Sequence, residues 1–124
     1  LAGPGSVLDI RHANRDDLSP SEQVRRFAER FIREEWPGAR LPRLYHDPRS
    51  LEPVPSQRAS LHAKCVVVDD GAVFVSSANF TEAAQTKNLE VGLLVHSRSI
   101  ASHLVGHCRA LVDASLLKAI PLTR

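Results

Sequence analysis

Apolar residues recur in two stretches of the chain at the three- and four-residue spacing of an amphipathic helix. In the first stretch Ser19, Pro20 and Glu22 are typical of a helix start, with Ser19 as the N-cap. Pro37-Gly38 predicts its end. The apolar stripe between them consists of Val24, Phe27, Ala28, Phe31 and Ile32. A second long helix is predicted over residues 97–117, with a stripe of Ile100, Leu104, Val105, Cys108, Leu111 and Val112.

Other segments have the apolar and β-branched character of strands. Two of them, Leu61–Val68 and Ala72–Ser76, flank the sequence Asp69-Asp70-Gly71, and Asp-Gly between such runs predicts a β-hairpin. Leu89–His96 is apolar almost throughout, as in a strand that is buried on both faces. Weaker patterns predict short strands over 6–12 and 41–46 and a short helix over 81–85. Strands interleaved with helices predict an α/β fold.

Length and composition indicate one compact domain. The chain has 124 residues, of which 43% are hydrophobic, and this suffices for one core. Residues 47–60 contain three prolines and are predicted to form a Pro-rich loop. Because the chain has no Met and starts at Leu1, we expect it to be an N-terminally truncated piece of a longer protein.

Charge, apolar run length and cysteine content bear on the substrate, membrane insertion and cellular compartment of the protein. The formal net charge of +2 is compatible with an anionic substrate but does not require one. No run of about 18 apolar residues occurs, so no transmembrane segment is predicted. Cys65 and Cys108 are both expected to be buried thiols, which favours a reducing compartment, and we predict a cytoplasmic location.

Residues with phosphate chemistry cluster around the predicted hairpin. Since residues two apart on a strand face the same side, His62 and Lys64 are expected to project together. Two positive groups disfavour each other's charge, and a bound phosphate would remove that conflict. Ser77 and Asn79 return on the paired strand and offer hydroxyl and amide donors to phosphate oxygens. Glu90, on the next predicted strand, could orient an imidazole by accepting its N–H.

The spacing of these residues resembles a known motif. His-x-Lys is followed by four residues, an Asp, six more residues and a small-residue cluster that ends in Asn; here these are His62, Lys64, Asp69 and Ser76-Ser77-Ala78-Asn79. This pattern resembles the HKD motif of the phospholipase D superfamily. The residues that follow, up to Glu90, are similar to those of its single-motif bacterial endonucleases, and the resemblance covers roughly residues 60 to 112.

The resemblance implies a phospholipase D-like half, with a mixed β-sheet flanked by helices, as the catalytic C-terminal portion of such a domain over residues 1–124. It implies catalytic roles for His62, Lys64, Asp69 and Glu90. His62 would attack phosphorus and form a phosphohistidine, Asp69 would be largely structural or orienting, and Glu90 would polarise a histidine. The phosphoryl oxygens would be bound by Lys64, Ser77 and Asn79. No metal and no other cofactor is implied.

Two departures from the family pattern affect these expectations. Ser76 stands where family members often have Gly, and its β-carbon could narrow the site. The chain has one HxK, whereas the superfamily site is built from two motifs. The second histidine is therefore expected from a homodimer or from a second HKD half in the missing part of the chain.

The leading functional hypothesis is a metal-independent phosphodiesterase that acts on nucleic acid, DNA or RNA. The chain is also similar to the phospholipase D-like component of some bacterial anti-phage defence systems. A phospholipid hydrolase or phosphatidyltransferase shares the core motif and stays open as an alternative. A third alternative is a non-catalytic nucleic-acid-binding or assembly module of the same fold.

Three other features have less specific interpretations. The arginines of the first helix are interleaved with glutamates, which favours a solvated face over a nucleic-acid contact. His103 and His107 are four apart on the last predicted helix, and without a third ligand they favour an ordinary helix face over a metal pair. Trp36 is interpreted as a packing residue at the end of the first helix.

Overall fold

The computed structural model describes residues 18–79 and 86–123, which form two compact units. The first unit lies within residues 1–61 and 116–124, and the second is His62–Ser115. The predicted strand over 6–12 and the predicted helix over 81–85 lie outside the described residues. That residues 1–124 form a single domain stays a prediction.

The first unit begins with helix α1, Pro20–Arg30, as the sequence predicted. The Ser19 side chain accepts a hydrogen bond from the Glu22 backbone N–H at 3.3 Å, which confirms the expected cap. The helix continues as a π-helical turn, Phe31–Glu35, and ends where the Trp36 backbone N–H donates to the Phe31 carbonyl.

Two short strands also belong to this unit. Strand β1, Leu44–His46, pairs antiparallel with β5, Lys118–Ile120, a strand for which the sequence analysis made no prediction. The core of the unit consists of Phe27, Ala28, Phe31, Leu51 and Ile120. The Trp36 ring stacks on Phe31 at 5.9 Å between centroids, which confirms its packing role.

The Pro-rich loop over 47–60 is more regular than predicted. It contains two short 3-10 helices, Pro48–Leu51 and Pro55–Gln57. Asp47 caps the first of them: its buried carboxylate accepts from the Arg49 backbone N–H at 2.9 Å and pairs with the Arg49 guanidinium. Proline at the first helical position suits such a turn because its missing N–H needs no partner there.

The described part of the second unit contains a three-stranded sheet and a long helix. Strands β2, Cys65–Val68, β3, Ala72–Ser76, and β4, Gly92–His96, pair in the order β2-β3-β4, and both pairings are antiparallel. Helix α2, Arg98–Asp113, starts at the Ser97 cap and packs mainly against β2 and β3. The predicted α/β class is confirmed, and every strand pair in the described parts of the chain is antiparallel.

The predicted hairpin between β2 and β3 is also confirmed. The Gly71 backbone N–H donates to the Val68 carbonyl at 3.0 Å, and the two residues between them, Asp69 and Asp70, have φ values of 50° and 49°. Positive φ at both central positions is what a type I′ turn requires. The turn is therefore centred on Asp69-Asp70, one position earlier than the Asp-Gly pattern indicated.

One face of the sheet is covered and the other is open. Val73 and Ala101 are 1% and 0% exposed where α2 covers the sheet. On the opposite face Val66, Phe74 and Leu94 are exposed. The expectation that the third strand is buried is thus wrong for β4, because within the described residues β4 lies at the edge of the sheet and the helix packs mainly against β2 and β3.

Candidate active site

Lys64 lies immediately before β2, at the end of the hairpin opposite the turn. Its carbonyl accepts from the Ser76 backbone N–H at 3.0 Å, so the pairing of β2 with β3 extends to this residue. Its ammonium donates to the His62 carbonyl at 2.9 Å. His62 itself is exposed and precedes the strand, which begins at Cys65 and not at Leu61 as predicted. The two-residue alternation of a strand therefore does not determine the direction of the His62 side chain.

Ser77 follows β3 and is bound to the segment that leads into β4. Its backbone N–H donates to the Val91 carbonyl at 3.0 Å, and its hydroxyl oxygen accepts from the Val91 N–H at 3.1 Å. The same hydroxyl donates to Glu90 Oε2 at 2.5 Å. The hydroxyl hydrogen that was expected to serve a phosphate oxygen is thus directed to Glu90 in this structure.

The Glu90 carboxylate is held on both of its oxygens. Asn88 Nδ2 donates to Oε1 at 3.2 Å, while Ser77 occupies Oε2. The Ser77 hydrogen bond lowers the pKa of Glu90 below its ordinary value, with smaller contributions from the Asn88 amide and from the positive charge of Lys64, against the opposing effect of partial burial. The Glu90 carboxylate is therefore kept ionised, which is the form in which both of its oxygens accept hydrogen bonds.

The structure joins two of the residues predicted from the sequence, Ser77 and Glu90, by a hydrogen bond, and the charge of Lys64 acts on the Glu90 carboxylate without a direct contact. Among the described residues, the His62 imidazole and the Asn79 side chain make no hydrogen bond, so the structure does not connect His62 to Glu90. Asn88, for which the sequence pattern predicted no separate role, joins this group. The sequence signal that could have identified Asn88 is its position: it is a carboxamide two residues before an acid, on a segment that enters a strand.

Asp69 lies away from this group. It is exposed in the turn at the far end of β2, five residues beyond Lys64. At about 3.3 Å of rise per residue, an extended chain of that length separates the two Cα atoms by about 16 Å. Of the two roles implied for Asp69, this position favours the structural one.

Ser76 occupies the position where the family often has Gly, and its side chain binds backbone groups. Its hydroxyl oxygen accepts from the Ala78 N–H at 3.0 Å, and its hydroxyl lies 3.4 Å from the Val91 carbonyl oxygen. The Ser76 side chain thus joins the end of β3 to the segment before β4.

Other candidate groups have simpler surroundings. Cys65 is partly buried and Cys108 is exposed, so the expectation of two buried thiols is wrong for Cys108; both are free. Within residues 18–79 and 86–123, no group of three or more His, Cys, Asp or Glu side chains is arranged to hold a metal ion. In the same ranges, no helix combines the length and the apolar character needed to cross a membrane.

The arginines of α1 form ion pairs along their own helix. Arg25 pairs with Glu22 and Glu29, and Arg26 pairs with Glu22. These exposed pairs agree with the solvated face that the alternating charges predicted, and each contributes little to stability.

Most of the chain matches a known protein family. The model of the family described as "Cardiolipin synthase, PLD-like domain" matches residues 16–112, which is most of the sequence. The chain belongs to this phospholipase D-like family. The superfamily predicted from the HKD pattern is thereby confirmed, and its members are generally catalytic phosphodiesterases. The match also starts well before the motif and includes α1. No curated protein and no solved structure gives a significant match to the chain.

Proposed function

We propose that this phospholipase D-like chain is a metal-independent phosphodiesterase that hydrolyses nucleic acid through a phosphohistidine on His62. The main support lies at one end of the hairpin, where the Ser77 hydroxyl binds the Glu90 carboxylate and the positive charge of Lys64 helps to lower the pKa of that acid. Convergence of a cation with an oriented acid suits a site that binds a phosphoryl group beside an imidazole.

In the first step a ring nitrogen of His62 uses its lone pair to form a bond to phosphorus. The P–O bond to the leaving strand breaks, and a second histidine donates a proton to the leaving oxygen. Lys64 and Asn79 would bind the non-bridging oxygens. Ser77 would join them by exchanging its Glu90 partner for a phosphoryl oxygen. Asp69 would act by shaping the turn.

In the second step water attacks phosphorus and the P–N bond breaks, which returns the electron pair to His62. The second histidine, now neutral, takes the proton from the attacking water. Glu90 would accept the N–H of an imidazole and stabilise the positive charge that develops on it. Because the chain has one HxK, the second histidine would come from a second copy or from a further motif in a longer chain.

The choice of nucleic acid as substrate is supported by the resemblance of the residues from Asn79 to Glu90 to the single-motif endonucleases. A phosphatidyltransferase or phospholipid hydrolase is the second candidate, and it is supported by the description of the matching family. We further propose a cytoplasmic location, which the free state of both cysteines supports.

The test is hydrolysis of DNA, RNA, bis(p-nitrophenyl) phosphate and phosphatidylglycerol vesicles in EDTA, with the oligomeric state measured in the same preparation. We expect cleavage of nucleic acid that falls on the order of 10³-fold or more in His62→Ala. His96→Ala is the matched control, since His96 is also an exposed histidine and lies outside the motif, at the end of β4. An alkaline quench during turnover should trap the phosphoryl group on the protein.

The outcomes separate the candidates. Cleavage confined to the lipid would favour the second candidate, and cleavage that depends on added metal would refute the metal-independent route. A folded dimer that binds nucleic acid but cleaves none of these substrates would instead support the non-catalytic module.

A further inference from the structure

The segment Asn88–Val91 carries the acid of the site into β4, and hydrogen bonds from Ser77 and Asn88 hold that acid on both of its oxygens. The Ser77 hydroxyl is held by the Val91 N–H and donates to one Glu90 oxygen, Oε2. The Asn88 amide donates to the other, Oε1, at 3.2 Å. Two donors on different oxygens restrict the last torsion of the Glu90 side chain, whereas one donor would leave the carboxylate free to rotate about its bond to Cγ.

We propose that Asn88 is a positioning residue that holds the Glu90 carboxylate in the orientation in which it receives an imidazole N–H. The proposal rests on the phosphodiesterase function proposed for this site. In it Ser77 and Asn88 hold the two oxygens before the substrate binds. When Ser77 turns to a phosphoryl oxygen, Asn88 stays on Oε1 and the imidazole N–H takes the place of Ser77 on Oε2.

A neutral donor is suited to this position. Lys64 already supplies positive charge near Glu90, and a second cation at position 88 would compete with the imidazole for the carboxylate. The amide stabilises the ionised form of Glu90 without adding charge. Since Glu90 makes no ion pair with Lys64 among the described residues, its orientation depends on the two neutral donors. If that orientation is fixed before the substrate binds, the carboxylate does not have to be ordered during the reaction, and the activation free energy is lower.

Substitutions of Asn88 and of its neighbour Leu89 test the proposed positioning role. Asn88→Asp has nearly the same shape but places a second carboxylate beside Glu90, whereas Asn88→Ala only removes the donor. Leu89 lies between the two residues in sequence and is 99% exposed, so Leu89→Ala controls for a change in this segment. A residue that only shapes the segment would leave the titration of Glu90 unchanged.

The first measurement is the pKa of Glu90 from the pH dependence of its carboxyl ¹³C shift, assigned with Glu90→Gln. Removing a donor to the ionised form raises the pKa of the acid, and a neighbouring negative charge raises it further. We expect the order Leu89→Ala equal to the unaltered protein, then Asn88→Ala, then Asn88→Asp. The same Glu90 titration in all four proteins would overturn the proposal, whether or not the chain is active.

The second measurement is the pH profile of kcat/KM on the substrate found in the hydrolysis assay. The acid limb should move to higher pH in Asn88→Ala and further in Asn88→Asp, and kcat should fall roughly tenfold with little change in KM. An acid limb that stays in place while the pKa of Glu90 moves would overturn the positioning role. If no phosphodiester is cleaved, the proposed function fails, and the titration alone decides whether Asn88 holds Glu90.

Discussion

The turn between β2 and β3 allows a direct test of what Asp69 contributes. Its φ of 50° lies in the left-handed region, which costs residues with a β-carbon about 1–2 kcal/mol. Asp and Asn reduce this cost because their short polar side chains form local hydrogen bonds with the backbone. Replacement of Asp69 by other residues should therefore change stability according to their tolerance of this conformation and not according to charge.

The expected magnitudes follow from that order. Asp69→Asn should change the free energy of unfolding by less than about 0.5 kcal/mol, as surface substitutions usually do. Asp69→Gly removes the left-handed cost but widens the unfolded ensemble, which costs about 0.4–1 kcal/mol, so the two effects largely cancel. Asp69→Val, with a branched β-carbon, should lose about 1–2 kcal/mol, and each kcal/mol should lower Tm by about 4 °C in a chain of this length.

The assay pairs thermal unfolding with the rate of phosphodiester cleavage. Asp70→Asn is the matched control, because Asp70 has a φ of 49° in the same turn and lies outside the motif. We expect Asp69→Asn and Asp70→Asn to keep both Tm and kcat/KM. A folded Asp69→Asn protein with unchanged Tm and a loss of about 10²-fold or more in kcat/KM would refute the structural role and assign Asp69 to the chemistry.

Three further predictions concern stability. A β-carbon at Gly106, inside α2, would meet no atom of the described residues within 4 Å apart from the backbone of its own helix. Gly106→Ala should therefore raise the free energy of unfolding in urea by about 1 kcal/mol, and a decrease would contradict the helix packing described. A β-carbon at Gly92 would lie 2.8 Å from the Phe74 ring, so Gly92→Ala should lower the free energy of unfolding by about 1–3 kcal/mol. Adding Phe74→Leu should restore most of that stability, and a double variant as unstable as Gly92→Ala would show that this clash is not the cause. The Arg49 side chain lowers the pKa of Asp47 below its ordinary value of 3.8. Because the folded pKa is the lower one, this stability is present above 3.8 and is lost as pH falls through the folded pKa. Asp47→Asn should therefore lower stability near neutral pH and flatten its decline in acid, and parallel curves for the two proteins would argue against this pair.

Local sequence patterns were sufficient to predict several features of this protein. The Ser19 cap with Pro20 predicted where α1 begins, and the aspartates before Gly71 predicted the β2–β3 hairpin. The HKD spacing predicted the superfamily that the match over residues 16–112 confirms. Each of these patterns depends on residues close together in sequence, because a cap, a tight turn and a motif on one hairpin are short-range features.

The tertiary structure decided the features that depend on distant residues. Nothing local indicates that β2 begins only at Cys65, or that β5 pairs with a strand more than 70 residues earlier. Ser77 and Glu90 are 13 residues apart, and their hydrogen bond follows from the register in which β3 pairs with β4. Which donors reach the Glu90 carboxylate is therefore a consequence of strand register, which residue identity alone does not specify.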